Sequence, residues 1–211
     1  MGAPKASVSL KERQRREREQ LILQAAEEAF RTRGYYDTSM EEIAARVGIA
    51  KGTVYLHFSC KEALVVALFT REMERLLADV EEAIAARATA CERLRAVLVI
   101  MSGELRRKRA HFLASAYNGA DLQRIFSAQG SQIQVLWQRL ARSILGVLEQ
   151  GVAAGEFRPL PPRVMLLALF SLLSSHVSER LVLEEEVSPE VFAGSIETIL
   201  LHGITVEKTL S

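Results

Sequence analysis

Residues 38–58 constrain this chain more tightly than any other stretch, because they interrupt a helical pattern at closely set places. Thr38 and Glu41 have the spacing of a capping box, in which each side chain satisfies the other's free backbone N–H. Ile43, Ala44 and Val47 then form one apolar face of a short helix. Gly48 follows, the residue that accepts the left-handed backbone of a helix end. After Ile49 a second segment opens with Ala50 and Lys51, and its Val54 and Phe58 lie four apart and face inward. Ala44 is small where two helices must touch, with Gly48 and Val54 four and ten residues on. That is the spacing of a helix-turn-helix, whose second helix lies in the major groove.

Residues 19–68 resemble the DNA-binding region of the tetracycline-repressor (TetR) family of bacterial transcription regulators. The resemblance is carried by ILQAAEEAF at 22–30, GY at 34–35, TSMEEIA at 38–44, VGIAKGTVYLHF at 47–58 and KEAL at 61–64. It covers the first third of the chain and is dense and collinear. It implies an all-α fold with an N-terminal three-helix helix-turn-helix DNA-binding domain. A C-terminal helical domain for ligand binding and dimerisation would follow. The expected division is a flexible arm at 1–15, the DNA-binding domain at 16–62, and the effector and dimerisation domain at 63–211. One departure concerns Cys60, which stands where the family usually places Ser or Asn as a helix cap. Ser59, three before Glu62, can take that role if the helix starts one residue earlier.

Composition agrees with a helical protein but does not announce its partner. The 211 residues are 49% apolar and 25% charged, with five prolines and long runs rich in Ala, Leu, Glu and Arg. Net charge is only +1, and residues 1–62 hold 11 Lys and Arg against 9 Asp and Glu. A nucleic-acid binder more often shows a basic excess, so the DNA reading rests on where the charges sit. The run at 11–18 is either a basic arm for phosphates or the solvated opening of the first helix, with Glu–Arg pairs three and four apart. The second account is favoured for most of these charges. Cys60 and Cys91 are too few for a disulfide framework and suit a reducing cytoplasm. The first ten residues lack a signal-peptide core, and the apolar run at 164–173 is shorter than the roughly 20 residues a bilayer requires. The expectation is a cytoplasmic protein with no membrane partner.

The rest of the chain reads as further helices. Ile22, Ala25, Ala26, Ala29 and Phe30 mark an amphipathic helix from about residue 16 to 33, closed by a left-handed cap at Gly34. A helix over 59–87 carries Leu64, Ala67, Leu68 and Leu76; another over 91–108 carries Leu94, Val97, Leu98 and Met101. Short helices are expected on either side of Asn118 and Gly119. A long one over 131–154 has Ile133, Leu136, Trp137, Leu140, Ile144, Leu148 and Val152 on one stripe. Two helices close the chain, at about 162–183 and 188–203. The first is apolar nearly all round at its start, which implies burial from several sides. The second opens with Ser188 as cap and Pro189 at its first helical position.

A recognition helix from Ala50 to His57 leaves Lys51, Gly52, Thr53, Tyr55, Leu56 and His57 toward the groove. The resemblance implies that these positions divide between base edges and phosphates. Lys51 and Thr53 have donors that reach N7, O6 or O4, Gly52 allows close approach, and Leu56 can pack on a thymine methyl. Tyr55, His57, Thr38 and Lys61 are placed for phosphates, which fix register without reading sequence. The alternative reading of Tyr55 and His57 is packing within the small domain. By the same resemblance the protein is a homodimeric repressor of a palindromic operator. Its partners are double-stranded DNA, a second copy joined through helices 162–183 and 188–203, and a small hydrophobic effector that releases the DNA. Activation, or regulation without a ligand, is the alternative. The pocket residues expected on these grounds are Met101, Phe112, Tyr117, Phe126, Trp137, Met165, Phe170 and His176, although such residues on a helical stripe are more often core.

Enzymatic readings find little footing. The histidines at 57, 111, 176 and 202 show no metal-pair spacing, and no glycine-rich phosphate loop or G-x-S-x-G elbow is present. No cofactor, metal or catalytic residue is expected.

Overall fold

The structure, a computed structural model, describes residues 9–102, 131–173 and 189–205. These residues are helical throughout apart from turns and one isolated bridge between Phe157 and Thr205. They fall into two compact units that divide between Arg71 and Glu72.

In the first unit, α1 spans Leu10–Arg33 and begins six residues before the expected start. Ser9 caps it, accepting a hydrogen bond from the Glu12 N–H at 3.2 Å. The basic run at its start is solvated helix. Arg13, Arg15 and Arg16 each face a glutamate four residues away, at 3.1, 3.1 and 3.4 Å. Residues 10–15, expected as part of a flexible arm, are therefore helical. Gly34 ends α1 at φ 86°, ψ 164°, which is positive but extended and not the left-handed cap expected.

Helices α2 (Met40–Val47) and α3 (Lys51–His57) follow. The cap of α2 is Ser39, whose hydroxyl accepts from the Glu42 N–H at 3.1 Å. The capping-box spacing therefore runs one residue later than Thr38 and Glu41. The physical reason is burial, because the Thr38 side chain turns inward and its hydroxyl donates to the Gly34 carbonyl at 2.7 Å. Gly48 adopts the expected left-handed conformation, and its N–H closes onto the Ala44 and Ala45 carbonyls. Ile22, Ala26, Ala29, Phe30, Ile43, Ala44, Val54, Leu64, Val65 and Leu68 make one buried cluster. Fully burying an Ile or Leu side chain contributes roughly 1.5–3 kcal/mol, so this small core suffices to set the angle of α3.

Helix α4 spans Lys61–Ala85, shorter at both ends than the 59–87 expected. It starts directly after Cys60, and the Arg87 guanidinium donates to the Ala83 carbonyl at its end. The second unit takes its later turns together with α5 (Ala90–Ser102), α6 (Ser131–Ala153), α7 (Pro162–Leu173) and α8 (Pro189–Ile204). Its core joins Leu77, Val80, Leu94, Val97, Leu98, Leu140, Ile144, Leu148, Phe157, Met165, Leu169 and Leu200. The start of α5 is held twice. Thr89 and Glu92 form a reciprocal capping box, and the Glu156 carboxylate accepts from the Ala90 and Cys91 N–H groups at 3.2 and 2.9 Å.

Two expectations change in this unit. Trp137 lies at the open edge of the α6 stripe, 44% exposed. Along α7, Met165 and Leu169 are buried, while Val164 and Leu167 are 58% and 66% exposed, so a single chain does not cover this helix from several sides. The short helices expected at 111–126 and the continuation of α7 to 183 lie outside the described residues.

Candidate nucleic-acid interface

Helix α3 is presented by its own core. Val54 is fully buried and Phe58 packs against the same cluster, which turns the opposite face of the helix outward. Lys51, Gly52, Tyr55 and Leu56 are exposed, Leu56 at 80%, and Thr53 is half-buried. Leu56 makes no demand on the interior, and a bare leucine on an otherwise polar face is a surface for an apolar group such as a thymine methyl.

Lys51 is not free in this arrangement. Its ammonium pairs with the Glu41 carboxylate in the first turn of α2 and sits 5.7 Å from the centre of the Tyr55 ring. The pairing holds the Glu41 carboxyl below its ordinary value and raises the lysine. Glu42, next in sequence, is engaged differently: Arg33 and Arg46 both approach it at 3.0 Å and its side chain is mostly covered. A hydrogen bond from Arg46 is the first cause holding the Glu42 carboxyl low.

Three of the residues expected at phosphates are engaged inside the protein. Lys61 donates to the backbone carbonyls of Tyr35 and Thr38 at 2.6 and 2.8 Å, with its ammonium 4.0 Å from the Tyr35 ring centre. Burial pushes this lysine below its ordinary value, against the pull of the Glu62 and Asp37 carboxylates. It fastens the loop before α2 to the start of α4. The His57 imidazole is largely covered and its Nδ1 lies 3.2 Å from Glu19, which also accepts from Arg15. Thr38 is buried, with its hydroxyl already donating to Gly34. The set left on the outward face is thus Lys51, Gly52, Tyr55 and Leu56, with Thr53 half-buried beside them.

Sequence reasoning missed Glu41 as a partner of the recognition face, through Lys51. The signal was present only as two carboxylates in the first turn of α2, which helix-dipole arguments already explain. Of the expected pocket residues, Met165 is buried in the second core and Met101 and Phe170 pack against it. Trp137 meets Phe170 edge to face at 5.9 Å. Phe112, Tyr117, Phe126 and His176 lie outside the described residues.

A small three-helix core that presents one short helix outward across a glycine turn is a helix-turn-helix DNA-binding unit. Residues 22–68 match the family described as bacterial regulatory proteins, tetR family. Over these residues the chain carries the DNA-binding region of that family, and along most of its length it is similar to transcription regulators. A fatty acid metabolism regulator protein from Bacillus subtilis (strain 168) is 27% identical over 91% of this chain and 98% of its own length. Among solved structures, a TetR/AcrR-family regulator from Thermobifida fusca YX-ER1 superposes with TM-score 0.72. It is 24% identical, over 89% of this chain and 98% of that one. The regulator FadR of Bacillus subtilis, solved in complex with stearoyl-CoA, gives TM-score 0.65 at 23% identity over 87% and 98%. At these identities the two structures speak for the fold. The relatives are transcriptional regulators and not enzymes.

Proposed function

We propose that the chain is a cytoplasmic homodimeric repressor that binds a palindromic operator through one α3 from each protomer and releases it when a long-chain hydrophobic effector, such as a fatty acyl thioester, binds the C-terminal unit. The observation that carries the DNA half is the outward face of α3, where Lys51, Thr53, Tyr55 and Leu56 surround Gly52. A glycine inside a helix costs about 1 kcal/mol relative to alanine. A Cβ at Gly52 would meet nothing within 4 Å, so the protein's own packing does not require it. Close approach by an outside surface supplies the reason. Lys51 and Thr53 read base edges, Leu56 a thymine methyl, and Tyr55 a phosphate.

The dimer half is supported by the exposed Val164 and Leu167 of α7 and Ile199 of α8, apolar residues that one chain leaves in water. The effector class is supported by the relative that regulates fatty acid metabolism and by the stearoyl-CoA held by the structurally similar regulator. The open Trp137–Phe170 pair is apolar surface for such a ligand. Helix α4 starts in the first unit and ends in the second, so a displacement of its later turns would change the spacing of two recognition helices. Half-sites lie about 34–36 Å apart, which makes affinity sensitive to a shift of that kind.

Binding-site selection from random duplexes, read by sequencing, tests the first half. The expected result is a palindrome whose enrichment falls for Lys51→Ala and Tyr55→Phe, both with unchanged melting. No enriched sequence would overturn it. Titrating stearoyl-CoA into the protein–operator complex tests the second half, with release expected for the acyl thioester and none for coenzyme A alone. A promoter reporter that falls when the protein is removed would replace repression by activation.

A further inference from the structure

We infer that Glu41 sets DNA specificity: by holding the Lys51 ammonium in the free protein, it withholds the charge of α3 from non-operator DNA and leaves it to base edges able to displace a carboxylate. The inference rests on the reading that α3 enters the groove. Lys51 is the only lysine or arginine from residue 51 to residue 57, so its availability fixes the permanent positive charge that this helix can offer. Its partner lies across the turn on α2, and the ammonium is also drawn toward the face of the Tyr55 ring.

The neighbouring carboxylate shows why the pair has little to do with folding. Glu42 is mostly covered and bridges Arg33, at the end of α1, to Arg46, at the end of α2. Glu41 and Lys51 are both more than half exposed, a setting in which an ion pair adds little to stability. What the pair does change is the use of Lys51. Every duplex offers phosphates, and a phosphate competes with Glu41 as one anion with another. A guanine offers O6 and N7 together in fixed geometry, which a carboxylate does not imitate. Non-operator affinity is therefore lowered more than operator affinity. Because Lys51 holds the Glu41 carboxyl below its ordinary value, the pair persists through neutral pH.

The test compares wild type, Glu41→Gln, Lys51→Gln and the double variant by fluorescence anisotropy across a KCl series. One probe is a mixed-sequence duplex and the other an operator obtained by selection. Glu41→Gln, which keeps the shape of the side chain, should bind the mixed duplex several-fold more tightly at low salt. Its log–log salt slope should steepen by about 0.9 for each freed lysine. Operator affinity should change less, so the specificity ratio falls, and adding Lys51→Gln should cancel the gain. Glu41→Ser should repeat the result, with thermal melts matching wild type. Equal mixed-duplex affinity and slope in wild type and Glu41→Gln would overturn the inference. So would a gain that survives in the double variant, which would leave phosphate repulsion alone as the cause. In both cases wild-type binding to the selected operator would leave the proposed function standing. Failure of wild type on every selected duplex would remove both.

Discussion

Lys51 ends in solvent beside a carboxylate, whereas Lys61 donates to the Tyr35 and Thr38 carbonyls under the Tyr35 ring. The two lysines share a charge and differ in what removing it would cost. Lys61→Ala should destabilise the first unit by about 1.5–3 kcal/mol, the usual worth of hydrogen bonds to a charged group, and lower the melting temperature. Lys51→Ala should leave melting unchanged. Thermal denaturation of both variants separates the roles. Glu62, beside Lys61, accepts from the Tyr35 hydroxyl at 2.7 Å, the first cause that holds its carboxyl below the ordinary 4.5. A carboxyl depressed by folding adds stability above the unfolded value and loses it as pH falls through the folded one. Acid titration of the melting temperature should therefore show part of the loss below pH 4.5 disappear in Glu62→Gln. A curve parallel to wild type would show that Glu62 takes no part. The sequence made Lys61 visible as a charge, but its partners are carbonyls 23 and 26 residues away, which no spacing rule identifies.

At the scale of elements, what was legible was local and what was hidden came from elsewhere in the chain. The left-handed Gly48 and the inward Val54 follow from spacing alone. The cap of α2 did not, because Thr38 with Glu41 and Ser39 with Glu42 have the same spacing, and burial of Thr38 decides between them. Thr89 and Glu92 form a capping box that the sequence does spell out, at the start of a helix placed one residue too late. The close approach at Gly151 has no local signature. A Cβ there would lie 2.2 Å from the Phe157 ring, which is only 1% exposed and so has nowhere to move. Gly151→Ala should therefore destabilise the second unit by about 1–3 kcal/mol, against the gain a helical alanine ordinarily brings. A lower denaturant midpoint with an unchanged m-value is the expected observation.

For the whole molecule, helical class and the DNA-binding end could be read from spacing, since the helices bury apolar stripes, α4 contributing to both cores. The surface of α7 could not, because an apolar residue looks the same in sequence whether its neighbour is the same chain or another. Val164 and Leu167 are where this matters. On the proposed dimeric reading, introducing Val164→Glu with Leu167→Glu should give a folded monomer in sedimentation velocity and a large loss of operator affinity. Persistent dimers would place the interface elsewhere.

Glu156 has a consequence for the order in which the protein is made. Its carboxylate closes the start of α5 from 65 and 66 positions further along the chain. While the ribosome is still producing α6, α5 has its local Thr89–Glu92 box but not this second set of acceptors. The buried cluster that presents α3 draws on residues 22–69 and is complete long before then. Synthesis runs from the N-terminus, so the helix-turn-helix can be in place while the second unit still lacks a partner for its own amides.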